Sequence, residues 1–399
     1  MQVRRVLALS VAILVVAVAS PVLAQRDSDK NKQQPARSAN EQADVQALVQ
    51  AVEVALLTDV GITVPAPGAP PPAAPPTSKP LTLGAPDSTQ GEVPIKWDSN
   101  HFVKGQTDTY IPFTLQLDKA SLPAGAALWV RVVTVDQAAS FAQQVTAMAK
   151  QQQGNNKNQP PARTMFAWDN GSFVDVPEGG KLQRAIQLKP GQYVAYIAVK
   201  DKSPAAAAGN QRNNDRNRND KNPPPAAAPA KVSVLRHEIT VPDFGQGDLT
   251  TSSIIVARSV EQVSAAPTDQ ESNPYVFGPM RIVPSPDGKF AKSAELSVIF
   301  WIYGAQAAAS GKPDVTIEYN FHQKLTEGEK YFNKTAPQQL NAQTLPPEFS
   351  VAAGHQLPGS LVVPLASFPA GDYRLEIKVS DKASGKSVTQ NVNFTVLPV

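Results

Sequence analysis

Apolar and polar positions along most of this chain alternate in short runs broken by Gly, Pro, Asn and Asp. The runs TYIPFTLQL (109–117), ALWVRVVTV (127–135), QYVAYIAV (192–199), ELSVIFWIY (295–303), DVTIEYNF (314–321), YRLEIKV (373–379) and VNFTV (392–396) set the pattern. In YRLEIKV, Tyr373, Leu375, Ile377 and Val379 alternate with Arg374, Glu376 and Lys378. That is the period of a strand with one buried face and one wet face. Helical spacing shows near the N-terminal end. Ser38 and Glu41 fit an S-x-x-E capping box, with Asn40 as an alternative cap, and Val45, Leu48, Val49, Val52 and Leu56 recur on one face. This helix is expected to end near Gly61. So short a stripe is expected to pack onto the following domain, with docking to a partner as the alternative. VPAPGAPPPAAPPTSKP (64–80) follows; proline fixes φ and removes the amide donor, which predicts an extended spacer. Many short strands and little helix predict a mainly β protein of antiparallel sandwiches.

Two of the strands are copies. PGQYVAYIAVKD (190–201) and AGDYRLEIKVSD (370–381) match Gly191 with Gly371, Tyr193 with Tyr373, Ile197 with Ile377, Val199 with Val379 and Asp201 with Asp381. Gly180-Lys-Leu182 and Gly359-Ser-Leu361 open the preceding strand in each copy, and ITVP (239–242) answers FTVLP (394–398). The repeat predicts two tandem domains that end in the same hairpin. A Gly-x-Tyr turn that opens a strand resembles the end of an immunoglobulin-like sandwich. The resemblance implies that Tyr193 and Tyr373 are corner tyrosines at the start of strand F, with Gly191 and Gly371 in the turns. Ala195 and Leu375 stand where that fold carries its strand-F cysteine, so the modules are similar to cysteine-free, fibronectin-like sandwiches. They are also weakly similar to the β-modules that accompany von Willebrand A-related domains in exported bacterial proteins. On this likeness, with 127–135 as strand B, the polar inserts KQQQGNNKNQPPAR (150–163) and 205–229 fall in the B–C and F–G loops, at one end of the first sandwich.

The ends and the charge balance add a location. Arg4 and Arg5 precede the apolar run Val6–Val22, and Val22-Leu23-Ala24 offers a small-residue cleavage site before Gln25. The predicted layout is therefore a signal peptide at 1–24, a polar segment and amphipathic helix at 25–63 and a proline-rich linker at 64–92. A β-sandwich at 93–244, carrying the inserts 150–163 and 205–229, and a second sandwich at 250–399 complete it. No further transmembrane segment is expected, and the mature chain is expected in the periplasm or outside the cell. The sequence has no cysteine, which removes disulfides and thiolate chemistry. Without Arg4 and Arg5 the basic count falls from 37 to 35 against 34 acidic residues, a net charge of +1 with no general attraction for nucleic acid. In Asn210–Pro229, four basic groups face two acids with no aromatic residue, so a nucleic-acid arm is not expected there either. Loop closure entropy rises only with the logarithm of length, so slack is the expected role, with contact to a polymer or protein as the alternative.

Candidate chemistry is sparse. His101, His237, His322 and His355 show no metal-ligand spacing, and no G-x-S-x-G or phosphate-cradling loop occurs. No cofactor or metal is expected. ELSVIFWIY exceeds what one sandwich face needs, because Leu296, Val298, Phe300 and Ile302 fill one face while Ile299, Trp301 and Tyr303 occupy the other. Burial under a cover or against a neighbouring domain is the expected use. Otherwise Trp301 and Tyr303, with Tyr319 and Phe321 on a neighbouring strand, form the candidate ligand or partner surface, suited to stacking on sugar rings. The functional expectation is an exported, non-enzymatic envelope protein in adhesion, scaffolding or ligand presentation, with an envelope protein or a polysaccharide as its partner class. A carbohydrate-binding module and an enzyme with a scattered site are the alternatives.

Overall fold

The computed structural model describes residues 38–62, 78–153, 164–203, 231–265, 267 and 269–398. The signal peptide read at 1–24, 64–77 of the proline-rich linker, and 154–163 and 205–229 of the two inserts lie outside the described residues. In chain order the first elements are α1 (Ala39–Asp59), β1 (Ser88–Gln90), β2 (Ile95–Asn100), β3 (Val103–Lys104), β4 (Thr109–Leu117) and β5 (Ala126–Val133). Next come α2 (Val135–Gln153), β6 (Trp168–Val174), β7 (Lys181–Leu188), β8 (Gly191–Asp201) and β9 (Val232–Val241). The described residues divide into two compact units. One falls within Arg26–Ser99 and Phe113–Val241, and the other comprises Asn100–Pro112 and Pro242–Val399. The sequence boundary at 244–250 thus misses one exchange: the hairpin of β3 with the start of β4 belongs to the C-terminal unit.

The first unit carries a five-stranded sheet in the order β1-β9-β8-β5-β6, and β2 and β7 pair with β4 in a second sheet. Trp97 of β2 stacks at 4.6 Å on Phe113 within that second sheet and at 4.2 Å on His237 of β9 across the two layers. The sheet order corrects the sequence reading of 127–135. This strand pairs with β8, which is the C position of an immunoglobulin-like sheet, not B. Ala126 pairs with Asp201 and Val133 with Val194. The connection that carries 150–163 therefore leaves the sheet where β8 begins, and the connection that carries 205–229 leaves where β8 ends. The expected shared end is not there.

The outer face of this sheet is covered by both helices. The Ser38 side chain caps Glu41 N–H and the Glu41 carboxylate returns to Ser38 N–H, as the capping box predicted. The buried face of α1 is Asp44, Leu48, Val52, Ala55, Leu56 and Leu57, while Val45 and Val49 are half-buried. It packs on Ala127, Val133, Val194, Tyr196, Ala198 and Val234, so packing onto the domain accounts for the stripe. Helix α2 has no counterpart in the sequence reading, which left its residues as loop. Thr134 and Gln137 cap it reciprocally, and its own Ala138, Phe141 and Ala142 are buried against the sheet. Three carboxylates of α1 meet three bases of the sheet: Asp44 with Lys200, Glu53 with Arg131 at 3.4 Å, and Asp59 with Arg236 at 2.9 Å. Asp169 adds a fork to Arg131 at 2.9 and 3.0 Å, and Tyr196 donates to Asp59 at 2.7 Å.

The C-terminal unit continues with β10 (Thr250–Thr251), β11 (Ile255–Gln262), β12 (Val276–Phe277), β13 (Met280–Pro284), β14 (Lys289–Phe290) and β15 (Glu295–Tyr303). The rest are β16 (Val315–Leu325), β17 (Gly328–Lys334), β18 (Gln338–Leu340), β19 (Leu357–Pro364), β20 (Gly371–Asp381) and β21 (Lys386–Val396). One sheet runs β10-β15-β11-β13-β12 with β19 paired to β15; the other runs β14-β21-β20-β16-β17 with β18 paired to β16. Their core joins Leu296, Val298, Phe300, Leu361 and Val363 to Ile317, Tyr319, Phe321, Leu375, Ile377 and Phe394. The repeat read from the sequence is the hairpin β8–β9 in one unit and β20–β21 in the other. Tyr193 donates to Lys189 O at 3.0 Å and Tyr373 to Pro369 O at 2.8 Å, each bonding back four residues. Gly191 and Gly371 open these strands at φ 151° and 145°, values that side chains avoid.

Candidate functional site

The aromatic platform does not face solvent. Trp301 is 1% exposed, Tyr303 6%, Tyr319 2% and Phe321 1%. Tyr319 and Phe321 lie in the sandwich core with Phe300 and Leu375. Trp301 and Tyr303 are on the opposite face of β15, and the C-terminal unit supplies its own cover for that face. Phe277 packs on Trp301 at 4.8 Å, Tyr110 meets Phe277 edge-on at 6.1 Å, and Phe244 packs on Tyr303 at 5.0 Å. The cover includes the 100–112 hairpin, which the sequence reading had placed in the first sandwich. The second apolar face of β15 is therefore explained by burial, and these four residues are corrected from surface candidates to core residues.

Tyr303 nevertheless borders an open cleft of about 400 Å³, at the low end of small-molecule sites. Its walls come from the β3–β4 turn, the end of β15 and the segment before β19. Its apolar surface comes from Ala305, Val351 and the edge of Tyr303, while Ile302 and Leu357 border it but are buried in the sandwich core; the polar part is Lys104, Gln106, His355 and Gln356. No carboxylate is among the lining residues, and Asp108 in the same hairpin turn is not one of them. Lys104 is exposed; its Nζ donates to Phe244 O at 3.3 Å and stands 5.9 Å from the Tyr303 ring centre. No ion pair to Lys104 occurs among the described residues. The Lys104 N–H donates to the Tyr303 hydroxyl oxygen at 3.0 Å, and Gln356 Nε2 donates to Lys104 O at 3.3 Å, so two bonds tie the hairpin to the cleft wall. His355 Nδ1 accepts from Ser350 N–H at 3.1 Å, which leaves Nε2 as the protonated nitrogen of the neutral ring. Burial pushes the Tyr303 phenol far above its ordinary range, against the pull of the Lys104 N–H, so its proton stays on at neutral pH.

The remaining histidines are structural in their settings. His101 meets the Tyr275 hydroxyl at 2.9 Å through Nδ1, and burial pushes its imidazole down to about 4. His237 pairs with Asp87 at 2.8 Å while stacked on Trp97, and His322 meets Tyr331 edge-on at 5.9 Å. No group of three or more metal-ligating side chains is assembled among the described residues. The sequence pattern does not single out Lys104, and it marks His355 only as one of four histidines without metal-ligand spacing.

No family model matches the sequence, and a search of curated proteins finds no match. Among solved structures, a family 123 glycoside hydrolase from Clostridium perfringens is similar at 10% identity and TM-score 0.19, over 38% of this chain and 28% of that one. Trypsin-activated alpha-2-macroglobulin from Escherichia coli is similar at 10% identity and TM-score 0.21, over 77% of this chain and 17% of that one. The chain spans well under a third of either protein, and likenesses at this level carry no argument about fold or function.

Proposed function

We propose that this chain is an exported, non-enzymatic protein of the cell envelope that holds a ligand or partner, acting in adhesion, scaffolding or ligand presentation. The observation that carries the reading is the composition of the cleft: a small apolar surface from Ala305, Val351 and the Tyr303 edge, one lysine, amide and imidazole groups, and no carboxylate. Binding sites need apolar walls and a few placed polar groups. The Tyr303 phenol is held too far above neutral pH to exchange its proton there. The export part of the reading rests on Arg4-Arg5, the apolar run Val6–Val22 and the small residues that end it. No described helix is long and apolar enough to cross a bilayer.

The test is co-sedimentation of the protein with envelope fractions of its own cells. Pelleting above a matched control protein is the expected result. A protein that stays in the supernatant at all fractions tested would remove the envelope reading. Deleting 205–229 is expected to leave pelleting unchanged, since that segment is read as slack; loss of pelleting with the fold intact would move the contact to the F–G connection.

A further inference from the structure

We infer that the outer face of α1 is a self-association surface, through which two copies of this chain pair their first helices antiparallel about a two-fold axis. The helix carries its charges the opposite way from an ordinary surface helix, which turns its apolar stripe to the core and its charges to water. Four carboxylates lie on α1, and each is engaged at the cap or against the body of its unit. Glu41 returns to Ser38 N–H, Asp44 meets Lys200 and Ser203, Glu53 meets Arg131, and Asp59 takes Arg236 and the Tyr196 hydroxyl. The helix has no basic residue. Its outward side is the stripe Ala43, Gln46, Ala47, Gln50 and Val54, without a charge. Ala47 is half-buried; the other four are exposed, Val54 by 37%. Helix α2 repeats the pattern: Gln143, Ala147 and Met148 are exposed and uncharged. Met165, next to the Thr164 that bonds Gln144 Oε1, is 79% exposed. Interfaces are depleted in charge at their centres and enriched in methionine.

The stripe also selects its occupant. A face without charge offers a charged partner no counter-ion, so the fitting partner is another uncharged face, and a second copy supplies one. A two-fold axis brings each stripe against its own copy, where like charges would repel. Glutamine suits that meeting because its amide both donates and accepts. Antiparallel pairing about the middle of the stripe sets Ala43 against Val54 of the second copy, small against larger, and Gln46 against Gln50. One helix pair covers less surface than a permanent dimer, so a reversible pair with a Kd of about 10–500 μM is expected.

The experiment is sedimentation velocity of the full chain as purified from its own cells, at concentrations up to about 1 mM. The average mass is expected to rise with concentration toward two copies. Gln46→Lys with Gln50→Lys, and Gln46→Glu with Gln50→Glu, are each expected to weaken association about tenfold or more when studied alone. An equimolar mixture of the two double variants should pair at least as tightly as the parent, and raising the salt should weaken that mixed pair but not the parent. Each change replaces an exposed residue with a helix former of similar strength, so the circular dichroism and unfolding midpoint of each variant should match the parent's. A parent that sediments as one copy at every concentration would overturn the inference. So would a double-lysine variant, folded by these criteria, that associates as tightly as the parent, or a mixture that pairs no better than either variant alone. None of these readouts depends on the envelope, so pelleting of the parent with envelope fractions and its self-association can succeed or fail separately.

Discussion

The hairpins β8–β9 and β20–β21 share one frame, but their outer faces are opposites. On the inner face the pairs agree: Tyr193 with Tyr373, Ile197 with Ile377, Val199 with Val379. On the outer face, β8 presents Val194, Tyr196, Ala198 and Lys200 where β20 presents Arg374, Glu376, Lys378 and Ser380. The first set is buried beneath α1 with Leu48, Val52 and Leu56. The second is wet, and Arg374 bonds Glu329 at 2.8 Å, Glu376 at 3.2 Å and Asn391 at 2.6 Å along the surface. A helical cap is thus written into one sheet by exchanging every second residue of one strand, without disturbing the corner or the core behind it. The three ion pairs to α1 have a separate effect. Burying charges offsets much of what their attraction supplies, so they add little net stability, but a shift of the helix by one turn would unpair all three.

The largest effect comes from writing one face into the other. Ala198→Lys places at the capped face the residue that Lys378 occupies at the wet one. Ala198 is fully buried, so an unpaired ammonium there is expected to cost the first unit about 4 kcal/mol or more. Lys378→Ala should change the C-terminal unit by no more than about 0.5 kcal/mol. Native-state hydrogen exchange reads both units in one sample. Comparable losses in the two variants would show that the cover contributes nothing to the capped unit.

The cover was only half legible in the sequence. YRLEIKV alternates and YVAYIAV does not, yet matching the two on Tyr193, Ile197 and Val199 hides the difference at the positions between. The capping box of α1 was readable because Ser38 and Glu41 are three residues apart. Its buried face was misplaced toward Val45 and Val49 because Asp44 looks like a solvent residue until Lys200, 156 positions away, is brought to it. Helix α2 carries the same kind of signal in Thr134 and Gln137, but its buried side is alanine and one phenylalanine, too weak a stripe to read against the strands around it. The two-faced strand β15 was legible as an excess of apolar residues. Its cover was not, because Tyr110 and Phe277 reach it from two distant segments. The cleft is of the same kind: Lys104 and His355, 251 positions apart, line it together only once the chain is folded.

Cavity and charge variants sharpen the comparison at smaller amplitude. Leu56 is fully buried, and Leu56→Ala is expected to destabilise the first unit by about 3 kcal/mol, with no change in the C-terminal unit. Asp44→Asn, which leaves the Lys200 ammonium buried without its counter-charge, is expected to cost about 2 kcal/mol, somewhat under a full deletion because the amide keeps an acceptor. The pH dependence has a definite sign. Burial pushes the Asp44 carboxyl up, but Lys200 and the two Ser203 donors outweigh it and hold the group below the usual carboxylate range. Glu238 is lowered in the same way by Gly84 N–H, Arg236 and Ala85 N–H acting against burial. A lowered carboxyl contributes stability that is present above its unfolded value and lost as pH falls through its folded one. The first unit should therefore weaken below the ordinary carboxylate range, and Asp44→Asn should flatten that acid limb. In the C-terminal unit Asp248 and Asp287 are also lowered, but their side chains are 73% and 41% exposed and their pairs are screened. An equally steep acid limb in both units would place the pH sensitivity outside the helix cap.

The smallest effect tests whether the two hairpins are the same frame at all. Tyr193→Phe and Tyr373→Phe each remove one hydroxyl bond to the backbone four residues earlier, at 3.0 and 2.8 Å, and leave the ring in place. Both rings are buried on the inner face, away from the helices. Each substitution is therefore expected to cost about 1 kcal/mol, equally in the two units, by hydrogen exchange of the strand that follows the corner. Equal losses mean that the corner works independently of what covers the outer face. If Tyr193→Phe has no effect while Tyr373→Phe weakens its unit, α1 and α2 hold the first hairpin where the corner holds the second, and the cap is part of the frame instead of an addition to it.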